Sequence, residues 1–160
     1  KFEEFYLRSA DWIDHFIKDD DHKKSKSDRT IVYRGTAISV QVKSVQTNSI
    51  KVSNSGFIAK VQNDASDRRK VKLPNGRTIE TTCYLVGEYD LLAVSLQPFT
   101  GIWKFAFKLN QDLNRTTSSK YRPSDRQHLL ATLETLTYPL DASWTTDFRR
   151  ALDLALVARG

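Results

Sequence analysis

Three residues, Asp28, Gln41 and Lys43, are of the types needed to break a phosphodiester bond. A carboxylate and a side-chain carbonyl oxygen are hard ligands of the kind Mg²⁺ takes. Its remaining positions go to water, to the scissile phosphate and to a backbone carbonyl such as that of Val42. The Lys43 ammonium would orient or deprotonate the attacking water and stabilise charge building on the phosphoryl oxygens. Mn²⁺ is expected to substitute for Mg²⁺.

What must bring these side chains together is a hairpin. Ile31, Val32 and Tyr33 lead into Arg34-Gly35, after which Ile38, Val40 and Val42 alternate with Ser39, Gln41 and Lys43 at the period of a strand. If Arg34-Gly35 forms the whole loop, Tyr33 faces Thr36, and counting outward sets Asp28 opposite Gln41. Directly opposed side chains share a face with Cβ atoms about 5 Å apart, and Lys43, two residues beyond Gln41, points the same way. The apolar residues take the other face. The same alternation also fits the wet side of an edge strand begun by Asp28, and periodicity leaves both readings open.

The stretch Ser27-Asp28-Arg29-Thr30-Ile31-Val32-Tyr33, followed by Ile38-Ser39-Val40-Gln41-Val42-Lys43-Ser44, resembles the signature of the PD-(D/E)XK nuclease superfamily in its Mrr-like variant, where QxK replaces ExK. Glu88-Tyr89-Asp90-Leu91-Leu92-Ala93-Val94 and the strand from Trp103 to Phe107 are similar to what restriction-endonuclease-like proteins place downstream of that lysine. The resemblance covers about residues 1–110. It implies a restriction-endonuclease-like core, a mixed central β-sheet flanked by helices, with Asp28, Gln41 and Lys43 catalytic and Asp28 and Gln41 holding Mg²⁺. It further implies a cytoplasmic endonuclease of double-stranded DNA, serving restriction or a related defence or repair task. Such a protein would act as a homodimer, since cutting both strands calls for two sites, or as part of a larger protein. A glutamate from the first helix often joins such sites, and here Glu4 or Glu3 would supply it; Asp90, at the mouth of the buried strand, is a further candidate acid. No proline precedes Asp28, and Gln41 brings no charge, so a metal would have one carboxylate. A catalytically inactive DNA-binding or interaction module on the same fold is the alternative.

The elements around the hairpin follow from periodicity and punctuation. Phe2, Phe5, Tyr6, Ser9, Trp12, Ile13, Phe16 and Ile17 recur at helical steps and predict an amphipathic opening helix, followed by a charged loop to Ser27 that contains Asp19-Asp20-Asp21. Strands are expected at Ser49 to Ser53 and from Gly56 to Val61; the polar, basic stretch from Gln62 to Thr82 reads as a long loop turning at Pro74-Asn75-Gly76. Leu91 to Leu96 predicts a central strand covered on both faces. Trp103 to Leu109 predicts a strand with one wetter face through Lys104 and Lys108, with Gly101 turning the chain between the two. Ser124 is placed to cap a helix carrying Leu129, Leu130 and Leu133 that ends before Pro139, and Thr146 to cap another through Phe148, Leu152, Leu154 and Leu156. The class is α/β or α+β, in a single nuclease-like domain over 1–160, with a core of about 1–110 and a C-terminal helical extension of about 120–158.

Composition bounds the rest. A chain of 160 residues with 39% hydrophobic content is long enough for one ordinary core. It contains no apolar run near the roughly 18 residues that span a bilayer, so no membrane is expected, and the start KFEEFYLRSADW lacks the pattern of a secretion signal. The lone Cys83 excludes an internal disulfide, and with three histidines it makes no common zinc site, so any metal is held by oxygen. The formal charge of +6 favours a polyanionic partner. Basic residues gather at His22 to Lys26, at Arg68-Arg69-Lys70-Val71-Lys72 and between Arg115 and Arg126. Lys60, Arg68, Arg69, Lys70, Lys72 and Arg77 are expected to touch DNA, with Gln62, Asn63 and Asn75 as candidates for base edges. Trp12, Trp103 and Trp144 read as packing residues. With no methionine, the chain is expected to be trimmed or a piece of a larger protein.

Overall fold

The chain turns at Arg34-Gly35 with both residues at positive φ, +50° and +75°, the backbone of a two-residue hairpin loop whose twist matches that of its strands. Tyr33 pairs with Thr36 and Arg29 with Val40, the register expected from the sequence. This hairpin lies at the heart of an α+β structure, seen in a computed structural model that describes residues 1–8, 10–18 and 28–160. The acidic run Asp19-Asp20-Asp21 and the basic run from His22 to Lys26 lie outside the described residues.

Among the described residues, ten strands follow in order: β1 His15–Lys18, β2 Arg29–Tyr33, β3 Thr36–Ser44, β4 Lys51–Ser53, β5 Gly56–Gln62, β6 Asp64–Lys72, β7 Thr78–Cys83, β8 Leu91–Ser95, β9 Phe105–Leu109 and β10 Leu133–Tyr138. Three α-helical segments are α1 Gln97–Thr100, α2 Pro123–Arg126 and α3 Phe148–Arg159. The main sheet has the order β1-β2-β3-β8-β9, with only β3 and β8 parallel. A second sheet has the order β10-β5-β4, and β6 with β7 forms a separate two-stranded ribbon.

Both faces of the main sheet are covered. Ile31, Tyr33, Ile38, Val40, Leu91, Ala93, Phe105 and Phe107 meet Phe2 and Leu7 from the N-terminal turn and Phe148, Ala151, Leu152 and Ala155 from α3. Full burial of side chains such as Phe148 and Leu152 stabilises this contact by about 1.5–3 kcal/mol each. Asp147 caps α3, accepting the Arg150 N–H; the sequence pointed to Thr146, one residue early. On the other face Leu92, Val94 and Ala106 pack against Ala59, Val61 and Leu136 of the second sheet and against Tyr84, Tyr89 and Trp144.

Three expected elements are replaced. In place of one opening helix there is a single turn at Glu3–Leu7 and then β1, whose His15, Phe16, Ile17 and Lys18 pair with β2. Aromatic and β-branched residues fit a pleated surface, and the open edge of β2 supplied one. The stretch expected to be a loop, 62–82, holds β6 and β7, turning at Pro74-Asn75-Gly76 as anticipated. The expected helix from Ser124 is one short turn, α2. Leu129 and Leu130 then bridge to Leu85 and Arg115, and Leu133 opens β10, which zips antiparallel onto β5. The C-terminal part is therefore helical only in the short turn α2 and in α3, and β10 completes the second sheet.

Candidate active site

The hairpin register delivers the contact expected of it. β2 stops pairing at Arg29, so the Val42 N–H beyond it would lack a ladder partner; the Asp28 carboxylate supplies one through Oδ2 at 2.9 Å. The same Oδ2 accepts the Gln41 side-chain Nε2 at 3.2 Å. Gln41 is only 5% exposed, so this face of β3 is not the wet side of an edge strand; the parallel partner β8 and the layer behind it close over it.

Lys43 reaches across to the second layer. Its Nζ donates to the Asp64 backbone carbonyl at 3.3 Å and lies 5.7 Å from the centre of the Tyr84 ring. The Arg69 guanidinium sits 5.5 Å from that ring and is fixed by two 2.8 Å bonds to Glu88 and one of 3.1 Å to the Cys83 carbonyl. The Tyr84 hydroxyl is pushed up to about 12, first by burial and then by the negative charges of Asp28 and Glu88, with Arg69 opposing. It stays protonated throughout the physiological range. Tyr84, Glu88 and Asp64 thus join the site without having been marked for it by sequence, and Arg69, expected to touch DNA, joins it from within. Their spacing carries no signal because β6 and β7, which bring most of them in, have too few apolar residues to read as strands.

The Asp28 carboxylate is one ligand of the kind a hard divalent cation held mostly by water and substrate takes, while the Gln41 amide here turns its N–H toward that carboxylate. Among the described residues no group of three or more His, Cys, Asp or Glu side chains converges as an all-protein cage.

Other candidates fall elsewhere. Glu4 pairs with Lys1 at 3.2 Å on the surface, and Glu3 pairs with Arg8 and Arg29. Asp90 fastens three elements: Oδ2 accepts the Ser39 N–H and hydroxyl at 2.8 and 3.0 Å, and both oxygens receive Arg159 of α3 at 2.9 Å. Of the residues expected to touch DNA, Arg68, Lys70 and Lys72 are exposed, and Lys60 donates to Thr135 at 2.7 Å. Arg69 is held by Glu88, and Arg77, with its side chain 40% exposed, is held by Asp125 at 3.1 Å. Asn63 is fully buried with its Oδ1 on the Tyr89 hydroxyl, and Asn75 is bound to Asp125, so neither is presented to a base. Trp12 and Trp144 pack as expected, but Trp103 is 40% exposed.

The Asp125 carboxyl is held below the usual range by the Asn75 amide and then by Arg77. A depressed carboxylate stabilises the fold above its unfolded pKa of about 4, and the contribution disappears as pH falls through the lower native value. Thermal melts should therefore show a steepening loss below about pH 4. In Asp125→Asn the melting temperature should drop at pH 7 and the acid limb should flatten; an unchanged acid limb would refute this linkage.

Comparison of the chain with family models, with curated proteins and with solved structures gave no match.

Proposed function

We propose that this chain is a Mg²⁺-dependent endodeoxyribonuclease domain of the restriction-endonuclease-like fold, hydrolysing phosphodiester bonds of double-stranded DNA in a cytoplasmic restriction or defence system. The observation that carries the reading is the meeting of Asp28 and Gln41 across the hairpin, with Lys43 two residues on along the same strand. Supporting it is the strand beside them: β8, the buried strand that the resemblance to PD-(D/E)XK nucleases leads one to expect downstream of Lys43, runs parallel to β3 and pairs Gln41 with Leu92 and Lys43 with Val94. No helix among the described residues is long and apolar enough to cross a membrane.

In this reading Asp28 and Gln41 would hold the cation, which when bound neutralises phosphate charge and acidifies water. Asp28 keeps its Oδ2 on the Val42 N–H, so the carboxylate is fixed in the plane of the sheet while it binds. Lys43 leaves a neutral carbonyl, that of Asp64, to direct its N–H groups at phosphoryl oxygens where charge accumulates. The Tyr84 ring limits the volume its ammonium explores. Two copies of the chain would be needed to cut both strands.

The second reading, a non-catalytic DNA-binding module, is favoured by Gln41: it leaves Asp28 without a second carboxylate at the hairpin and turns an N–H toward it. Nicking of supercoiled plasmid with Mg²⁺ or Mn²⁺ decides. Cleavage by the wild type that falls at least ~100-fold in Lys43→Ala supports the nuclease. Duplex binding without nicking supports the module, and cleavage that survives Lys43→Ala unchanged rejects the site.

A further inference from the structure

We infer that one face of the β6–β7 ribbon docks in the major groove of the duplex; the inference rests on the proposal that DNA is the substrate, and assigns how it is held.

The ribbon has two chemically distinct faces. Val71, Leu73 and Cys83 turn inward onto Leu129, with Ile79, Leu85 and Tyr121 around them, so that the ribbon is a rigid surface backed by protein. Arg69 and Thr81 also point inward, Arg69 to Glu88 and Thr81 to the Tyr121 hydroxyl at 2.6 Å. The alternate positions Arg68, Lys70, Lys72, Thr78 and Glu80 are all exposed. Three cations against one acid on that face make it complementary to a polyanion.

Geometry narrows the partner further. The major groove is about 12 Å wide and admits a two-stranded ribbon, whereas the minor groove, about 6 Å wide, does not. Alternate residues of a strand lie about 6.6 Å apart, close to two steps of the roughly 3.4 Å base-pair rise, so Lys70 and Lys72, in the regularly paired part of the ribbon, fall in step with every second base pair, and Arg68 lies at the irregularity just before it. Lys70 pairs with Glu80, which sets a donor beside an acceptor at the centre of the face, the combination that addresses guanine O6/N7 and cytosine N4.

The ribbon is also rooted at the cleavage centre. Its first residue, Asp64, accepts Lys43 through the backbone carbonyl, and Arg69 and Lys43 share the Tyr84 ring.

The test is fluorescence anisotropy of the full chain with a labelled duplex in EDTA, across a salt series. The variant Arg68→Gln/Lys70→Gln/Lys72→Gln, whose changes are all at exposed positions, should bind at least ~10-fold more weakly. Its salt slope should be lower by about 2 to 3. Lys51→Gln/Lys104→Gln, which removes exposed charges from β4 and from the segment before β9, should stay within about twofold of wild type. Methyl green, a major-groove ligand, should displace the protein, and netropsin, a minor-groove ligand, should not. The inference is overturned by a wild type that binds no duplex, by a triple variant with wild-type affinity and slope, by an equal loss per charge in the control, by displacement with netropsin alone, or by equal affinity for single strands. Plasmid nicking by the same preparations separates the two proposals. Unchanged duplex binding by the triple variant with cleavage intact sinks only the ribbon, whereas ribbon-dependent binding without cleavage sinks only the nuclease.

Discussion

Asp28→Asn is expected to slow Mg²⁺-dependent nicking at least ~100-fold while leaving the protein folded. The asparagine keeps an oxygen for the Val42 N–H, so the backbone group that Asp28 satisfies is not orphaned, and the stability cost should stay near ~1 kcal/mol. What disappears is the carboxylate charge at the hairpin, and with it the one anionic ligand that Asp28 and Gln41 together offer a cation. A second readout is independent of cleavage. Asp28 is, after burial, the leading cause of the raised Tyr84 pKa, so spectroscopic titration of the variant should find Tyr84 ionising below the value of about 12 in the wild type. A tyrosine that titrates unchanged would mean that Asp28 and Tyr84 do not share a site, whatever the nicking assay reports.

The largest loss of stability is expected from Glu134→Ala. Lys108 and Glu134 form an ion pair at 3.3 Å in the interior, with side chains 9% and 1% exposed. Glu134 also accepts the backbone and side-chain N–H groups of Asn114 at 3.1 Å each, while the ammonium rests 5.3 Å from the Trp144 ring. Removing the acid leaves the Lys108 ammonium buried without its partner and takes the acceptor from the more exposed Asn114, which costs about 3–5 kcal/mol, a large part of the stability of an ordinary domain. Urea denaturation should show this as a fall in midpoint. Lys108→Met/Glu134→Gln, which removes both charges and retains an acceptor for Asn114, should be more stable than Glu134→Ala. If the double variant is the less stable, the pair is not the source of the effect.

This ion pair also shows where sequence reading failed. Lys108 alternates with Phe107 and Leu109, which suggested a wetter face for β9; yet Ala106 and Lys108 are both buried, because the second sheet and Trp144 cover that side. Gln41 is buried for the same reason. A period of two records that residues alternate between faces, but what lies over each face is decided by chain that arrives from far away, here β5, β10 and the segment around Trp144.

The hairpin itself was legible because its information is local. Two residues able to take positive φ fix the loop, the loop fixes the register, and the register sets Asp28 against Gln41. The buried run from Leu91 to Ser95 and the helix from Phe148 were legible as well, since each carries its own apolar pattern. The opening segment misled because a short aromatic-rich run satisfies helical and strand spacing alike, and the free edge of β2 chose between them. The ribbon and β10 were hidden because their pairing partners, not their composition, make them strands: β6 needs β7, and β10 needs β5. So the amino-acid sequence alone determined the meeting of Asp28 with Gln41, and the place of Lys43 two residues on along β3, through short-range geometry. Only the tertiary structure decided that Tyr84, Arg69 and Asp64 close around Lys43, that Asp90 is drawn off to Ser39 and Arg159, and that the cations of β6 divide into Arg69 within and Arg68, Lys70 and Lys72 without, because burial and long-range pairing are properties of the packed chain.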